Sequence, residues 1–446
     1  MNMKHFNHSL ILAVSILLSG CGIYNRYSRP ELEVCTDSLV RQSAAVADTS
    51  GIASLSWREL FTDPFLQELI SRGLESNTDL EIARLQVEEA RATLTNARQS
   101  YLPSVSLTAQ EGFAGATASW EPDIFANVTN AKRAALASYD RSRFYEQAVR
   151  TNLVATIAES YYSLLMLDEQ LRISDETLSS WNETIATLEA LLKAGKSNDV
   201  AVHRAKASRA ALEASMETVR KNILETENSL SSLLKSPSRT IARGTLESQS
   251  FPDSLCAGLP LQFLSARPDV RASEASLAEA FYATNAARAA FYPDLTLSGK
   301  LGWTLNGKGL DISIGDFIAS AVASLTAPLF NKGTNVANLK IAQARQEEAL
   351  LSFEQSLIDA GNEVNNSLAA WQAADSRIGL DLEQIAQLDA AVEKTKLLVL
   401  YSSANYLEVL TAWQSLLDAR LTLAQDRIGK IQSIISLYHA LGGGIE

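Results

Sequence analysis

Side chains that could transfer a proton, attack a substrate or hold a metal are few and scattered in this chain. The four histidines, His5, His8, His203 and His439, cluster neither with one another nor with a cysteine. No Cys/His spacing suits a zinc site. Neither a G-x-S-x-G elbow nor a phosphate-binding loop occurs. Of the three cysteines, Cys35 and Cys256 have no spacing that fixes a bridge, and a disulfide between them stays open. The residues therefore predict no enzyme, no cofactor and no metal centre. A formal net charge of −12 argues against nucleic acid, which calls for a basic face. That charge is compatible with a lumen passing cations or neutral solutes.

Cys21 is the one residue whose surroundings point to a reaction on itself. A short polar start with one base, Lys4, precedes an apolar run from Leu10 to Leu18, and Leu18-Ser19-Gly20-Cys21 follows. The run is far below the roughly 20 residues of a spanning helix and reads as a signal peptide, 1–20. Leu-Ser-Gly-Cys resembles the lipobox of bacterial lipoproteins, in which Cys21 becomes the lipidated first residue. Gly22 in place of Asp favours, by the same resemblance, sorting to the outer membrane. Beyond Cys21 no run of 18 apolar residues appears, so any crossing of a membrane must be made by strands.

The rest of the chain repeats one plan twice. Asp79–Leu107 and Asp269–Leu297 match with Pro103 on Pro293, an offset of 190 positions (293 − 103). Each copy runs as an alanine-rich helix, meets a proline, and then alternates: Val105 and Leu107 in one, Leu295 and Leu297 in the other. The period changes from 3.6 to 2 at the proline, which cannot continue a helix but can open a strand. Two hairpins follow from this, 103–124 and 293–330. The first pairs Pro103–Gln110 with Gly115–Asp123. The second pairs Leu295–Leu305 with Ala319–Leu329, and Gly315–Ile318 reads as one helical turn. Aromatics gather at these junctions: Tyr101, Trp120, Phe125, Phe291, Tyr292 and Phe330.

Between the hairpins lie long helices. From Ala126 to Ala194 there is no glycine or proline, enough for a helix on the order of 100 Å. Leu178, Trp181, Ile185, Leu188 and Leu192 step by 3 and 4, the spacing of a coiled-coil seam. Gly195 breaks the run, and Lys196–Ser236 returns. The second half retraces this with a helix from Thr334 to about Tyr401, a tip at Ser402–Asn405, and a last helix whose seam holds Leu407, Leu410, Leu417, Leu421, Ile428, Ile431 and Ile435. The segments are 21–77 (anchor segment and equatorial region), 78–102 (first repeat helix), 125–236 (first helical hairpin), 237–268 (linker), 269–292 (second repeat helix), 331–441 (second helical hairpin) and a 442–446 tail. The expected fold class is mainly α with a small β part. Four strands cannot close a barrel, and open edges in lipid cost several kcal/mol per unpaired group, so strands from several copies must combine.

Taken together, the chain resembles the TolC-family outer membrane efflux proteins of the lipoprotein (NodT) branch. The residues carrying this are Gly258-Leu259-Pro260 through Arg267-Pro268-Asp269-Val270-Arg271-Ala272-Ser273-Glu274, Trp120-Glu121-Pro122-Asp123, the paired Tyr-Leu-Pro and Phe-Tyr-Pro junctions, and Tyr406-Leu407-Glu408-Val409-Leu410. The resemblance implies a homotrimer: a 12-stranded outer membrane β-barrel continuous with a periplasmic α-barrel of 12 helices. It implies an exit duct of a tripartite efflux system for drugs or toxic compounds, partnered by a periplasmic membrane-fusion adaptor and an inner membrane transporter of RND type, and anchored through Cys21 in outer membrane lipid. It also implies that Gly195, Asp199, Val200, Ser403, Ala404 and Asn405 meet the adaptor, and that Tyr401 and Glu408 gate the pore. Thr411 stands where some relatives carry a second acidic gate residue, and Ala126 replaces a glycine common after the first hairpin. A type I secretion or metal-efflux duct of the same fold stays open, as does a structural periplasmic coiled-coil lipoprotein.

Overall fold

The computed structural model describes residues 21–30, 55–110, 112–195, 198–251, 265–306, 313–327, 331–401 and 406–443. The signal segment, Cys35, Cys256, Gly258–Leu264, the turn at 307–312, Phe330 and the tip 402–405 lie outside the described residues. Contacts divide the chain into two units. The first takes residues 1–34, 83–147 and 268–357, and the second takes 35–82, 148–267 and 358–446.

The helices are α1 (Trp57–Leu60), α2 (Pro64–Ser76), α3 (Thr78–Gln99), α4 (Asn127–Lys193), α5 (Asp199–Leu233), α6 (Pro268–Ala289), α7 (Thr334–Tyr401) and α8 (Tyr406–Ala440). Local chemistry sets their starts. Ser56 and Glu59 close a capping box on α1. Asp63 accepts from the Phe65 amide at 2.9 Å, with Pro64 in the first turn of α2. Asn77 Oδ1 accepts from the Leu80 amide at 3.0 Å, opening α3.

In the first unit the strands are β1 (Ser104–Gln110), β2 (Phe113–Trp120), β3 (Asp294–Asn306) and β4 (Ser313–Thr326). They form one antiparallel sheet in the order β1-β2-β3-β4, so the two repeats meet at the β2–β3 pair. Both expected prolines stand directly before a strand. The register puts most of the large apolar residues on one face, with Phe113, Ile318 and Val322 on the other. Val105 faces Ala118, Leu107 faces Ala116, Ala116 faces Leu301, Leu301 faces Ala319, and Trp303 faces Phe317. The other face carries Ser106 with Thr117 and Lys300 with Ser320. In the single chain the apolar face is uncovered: Leu107 is 89% exposed and Leu325 68%. A soluble sheet does the reverse and buries its apolar face. The outer edges of β1 and β4 have no strand partner among the described residues.

The expected helical turn at Gly315–Ile318 is incorrect. Phe317 pairs with Trp303 and Ile318 with Gly302, and the ladder continues past a bulge between Trp303 and Leu305. Ladder bonds to β3 extend the strand back to Ser313, where the local sequence alone shows no alternation. Likewise β2 starts at Phe113 and stops at Trp120, inside the expected Asp123 limit.

The junctions of the two repeats interlock. Phe125 stacks on Tyr292 with centroids 5.0 Å apart, and Trp120 Nε1 donates to the Tyr101 carbonyl at 2.9 Å. The stretch 21–30 is fastened here. Cys21–Tyr24 forms a 3₁₀ turn, Ile23 is buried with Ala126 and Ala289, and Asn130 Nδ2 donates to the Ile23 carbonyl at 2.8 Å. Further along, the Tyr27 amide donates to Tyr282 Oη at 3.0 Å, and Arg29 Nε pairs with Glu274 at 2.7 Å.

In the second unit the helical seams are the core. Trp181, Ile185 and Leu188 join Val202, Leu212, Val409, Leu410, Trp413 and Leu417 in one cluster. Four of the five expected positions on the first seam pack against or within it, whereas Leu192 is 37% exposed. The last helix follows its expected seam from Leu410 to Ile435, with Leu407 exposed.

Candidate functional site

The first helical hairpin turns at Gly195. The Gly195 amide donates to the Leu192 carbonyl at 3.0 Å, and its φ of 69° is left-handed, with open space where a Cβ would stand. Asn198 then caps α5, Oδ1 accepting from the Ala201 amide at 3.0 Å. Asp199 follows in the first turn, where a carboxylate complements the helix dipole. Asp199 and Val200 are exposed, Val200 to 56%. Ala201, Val202 and Ala205 dip into the core. The turn thus offers a polar rim with one apolar side chain, held on a rigid base. Below it Lys206 pairs with Glu189 at 2.7 Å across α4 and α5.

The second hairpin ends α7 at Tyr401 and begins α8 at Tyr406. The Tyr401 side chain and Ser403, Ala404 and Asn405 lie outside the described residues, as does the Cys21 side chain. Glu408 is exposed in the first turn of α8, beside the buried Val409 and Leu410. Thr411 Oγ1 turns back onto the Leu407 carbonyl at 2.8 Å. Lys396 pairs with Glu393 at 2.8 Å and lies over the Trp413 ring at 4.7 Å. At the Gly195 turn and in the first turns of α8 the apolar side chains Ala201, Val202, Val409 and Leu410 are therefore taken up by the helix core, while Asp199, Val200 and Glu408 stay exposed.

Three charge hubs escaped sequence reasoning, all in the second unit. Arg243, in the linker, donates to Asp168 at 2.9 Å and pairs with Glu227 at 2.5 Å. Arg267 is 4% exposed, donates to the Ala440 carbonyl at 2.7 Å and pairs with Glu363 at 2.8 Å, and Glu363 in turn meets His439 Nδ1 at 3.0 Å. Burial pushes Glu363 up, but His439 and Arg267 outweigh it and hold the carboxyl below its ordinary value. Nearby Glu159 is pushed up by burial, opposed by His439. On α7 and α8, Arg377 grips Asp426 with Nε at 2.9 Å from both oxygens. The neighbouring Asp381 is raised by burial and by Asp426. The Arg267-Pro268-Asp269 run was the one visible signal for any of them.

Arg267 also completes the internal repeat. Asn77, the residue 190 positions earlier (267 − 77), donates Nδ2 to the Leu233 carbonyl at 2.9 Å. Each repeat thus closes with the residue before its first helix bonded to the last turn of its final helix.

The family model described as outer membrane efflux protein matches residues 69–235 and 259–443, one stretch per repeat. The chain belongs to the outer membrane efflux protein family. This efflux protein is 31% identical to the cation efflux system protein CusC of Escherichia coli O6:H1, covering 98% of each chain. It is 28% identical to the probable outer membrane lipoprotein SilC of Salmonella typhimurium, again covering 98% of each. A solved structure of CusC superimposes with a TM-score of 0.84 at 29% identity, covering 94% of this chain and 99% of that one. Membership of the family makes the efflux protein an outer membrane channel protein and accounts for the uncovered apolar sheet face.

Proposed function

We propose that the chain is one of three identical protomers of the exit duct of a tripartite efflux system. The supporting observation is the sheet: among the described residues, four strands with an apolar face and two unpaired edges. Three copies supply twelve strands and leave no edge in lipid. The Gly195–Val200 turn and the 403–405 tip are the adaptor-contacting surface, and the inner membrane partner is an RND-type transporter. Cys21 carries the lipid anchor. Glu408, exposed at the start of α8, forms an acidic ring of three in the pore, with Tyr401 as its gating neighbour.

The likeness to a protein named for cation efflux favours a second reading of the cargo, metal cations instead of drugs or solvents. Single-channel recording in planar bilayers tests the duct itself: discrete conductance is expected, and its absence from heat-modifiable trimers would refute it. Glu408→Gln should lower cation selectivity; unchanged reversal potentials would remove Glu408 from the gate. A cysteine at Ser197 should crosslink to the adaptor. Sensitivity of a deletion strain to transition-metal salts, set against organic dyes and solvents, separates the two cargoes.

A further inference from the structure

The apolar face of the sheet carries a furrow that the duct reading does not use. It measures about 430 Å³, and its lining includes Ala118, Trp120, Leu297, Gly299, Ala321 and Ala323. The register explains it. Ala118, Gly299 and Ala321 lie side by side across three strands, so one row of the face has almost no side chain. The row beyond it, toward the hairpin tips, holds Leu301, and the row toward the helices holds Trp120 and Leu297. The Trp120 wall is preset, because its Nε1 is already bonded to the Tyr101 carbonyl. The backbone does not require Gly299: its φ is not left-handed, and a Cβ there would meet only Ser320 O at 3.6 Å. The missing side chain keeps the furrow open.

The turn that begins with Cys21 is fixed at the foot of the same strands. Ile23 is buried with Ala126 and Ala289, Tyr292 packs against them, and the Tyr24 hydroxyl donates to the Ile124 carbonyl. Tyr292 stands just before β3 and Ile124 just after β2. Gly299 lies five residues into β3 (299 − 294), about 17 Å along the strand. With a tilt of about 40°, that is roughly 13 Å up a barrel wall. An acyl chain fills one leaflet, half of the roughly 30 Å hydrocarbon core, so a chain rooted at Cys21 reaches the furrow. Held at one end, it gives up less freedom on docking than a free lipid does.

We propose that an acyl chain carried by Cys21 lies in the furrow of its own sheet, against Ala118, Gly299 and Ala321, between Leu301 and the Trp120–Leu297 row. The site rests on the exit-duct reading, which makes this face the lipid face, and on acylation of Cys21.

The test feeds cells making the full-length protein a fatty acid with a diazirine near its methyl end. Outer membranes are irradiated, and the digested protein is read by mass spectrometry. The expected product joins the Cys21 peptide to a strand peptide at Ala118, Gly299 or Ala321. A free lipid gives a different product, a strand peptide carrying lipid mass alone. Ala321→Phe fills the furrow and should abolish the Cys21 product, whereas Ala109→Phe, two rows farther out on the same face, should keep it. Heat-modifiable mobility checks that both variants fold. Acylated Cys21 that crosslinks only to free lipid or outside the furrow would overturn the site and leave the anchor standing, as would equal yields from the two folded variants. No acyl mass on Cys21 would overturn the anchor and the site together. The crosslink is read whether or not the protein conducts, so the site and the duct fail separately. The wild-type product decides the matter even if a variant misfolds.

Discussion

Arg267 has more to lose than any neighbour, because its guanidinium is almost wholly enclosed and serves a carbonyl and a carboxylate at once. Removing one member of a buried pair strands the other. Arg267→Ala should therefore cost about 3 kcal/mol, and its counterpart Asn77→Ala, which loses a helix cap and one carbonyl bond, about 1–2 kcal/mol. Thermal loss of helical circular dichroism would check the order; equal costs would mean that Arg267 works only as a carbonyl donor. Tyrosines set the alkaline limit. Burial, then Asp63 hydrogen-bonded at 2.6 Å, raises Tyr161, and burial raises Tyr438 to about 12. These phenols stay protonated in the fold when the unfolded chain has begun to ionise near 10. Their contribution is complete below pH 10 and fades as pH climbs through the folded values. The part of the tyrosinate absorbance that Tyr161→Phe and Tyr438→Phe remove should appear together with helix loss above pH 10, whereas its appearance near pH 10 with the helices intact would contradict this. None of this could be read in the sequence, because Arg267 and Ala440 stand 173 positions apart and Tyr161 and Asp63 stand 98 apart.

The long helices were readable, since an unbroken run with a 3–4 seam has few other solutions, and so were the proline-led strands. Gly315–Ile318 was misread because Gly315 and Asp316 interrupt any alternation; the strand exists there through its pairing with β3. Helix ends show another limit. After α5 the Ser236 amide bonds to the Ser231 carbonyl at 2.9 Å, and after α8 the Gly443 amide bonds to the Tyr438 carbonyl at 2.9 Å, the same closing motif. Its left-handed position is Gly442 in one repeat and Lys235, at φ 49°, in the other. Lys235→Gly should stabilise by about 0.5–1 kcal/mol, seen as a higher melting midpoint; a lower midpoint would show that the lysine side chain earns its place. In the sheet, Gly302 faces Gly115, and a Cβ on Gly302 would stand 2.3 Å from the Ala114 carbonyl oxygen. Gly302→Ala should reduce the assembled fraction on unheated gels, while Gly299→Ala, whose Cβ would meet only Ser320 O at 3.6 Å, should not. Equal behaviour would argue that the strands shift apart freely.

At the scale of the molecule the decisive property is a surface that water cannot satisfy. Leu107→Arg puts a charge on the apolar face of the sheet. It should cost about 2–4 kcal/mol near the bilayer midplane and deplete the protein from outer membrane fractions. Ser106→Arg, on the polar face, should leave its abundance unchanged. Equal abundance of both variants would mean that the apolar face does not meet lipid. The sign of this surface was visible in Val105, Leu107, Leu295 and Leu297; which edges remain open emerged only from the strand order.

The seam between β2 and β3 carries one more implication. It is the only ladder that joins the first half of the chain to the second among the described strands, and it is non-covalent. Severing the backbone somewhere in 252–264 would break neither β1–β2 nor β3–β4. Two half-polypeptides secreted separately should therefore reunite, six pieces to a trimer.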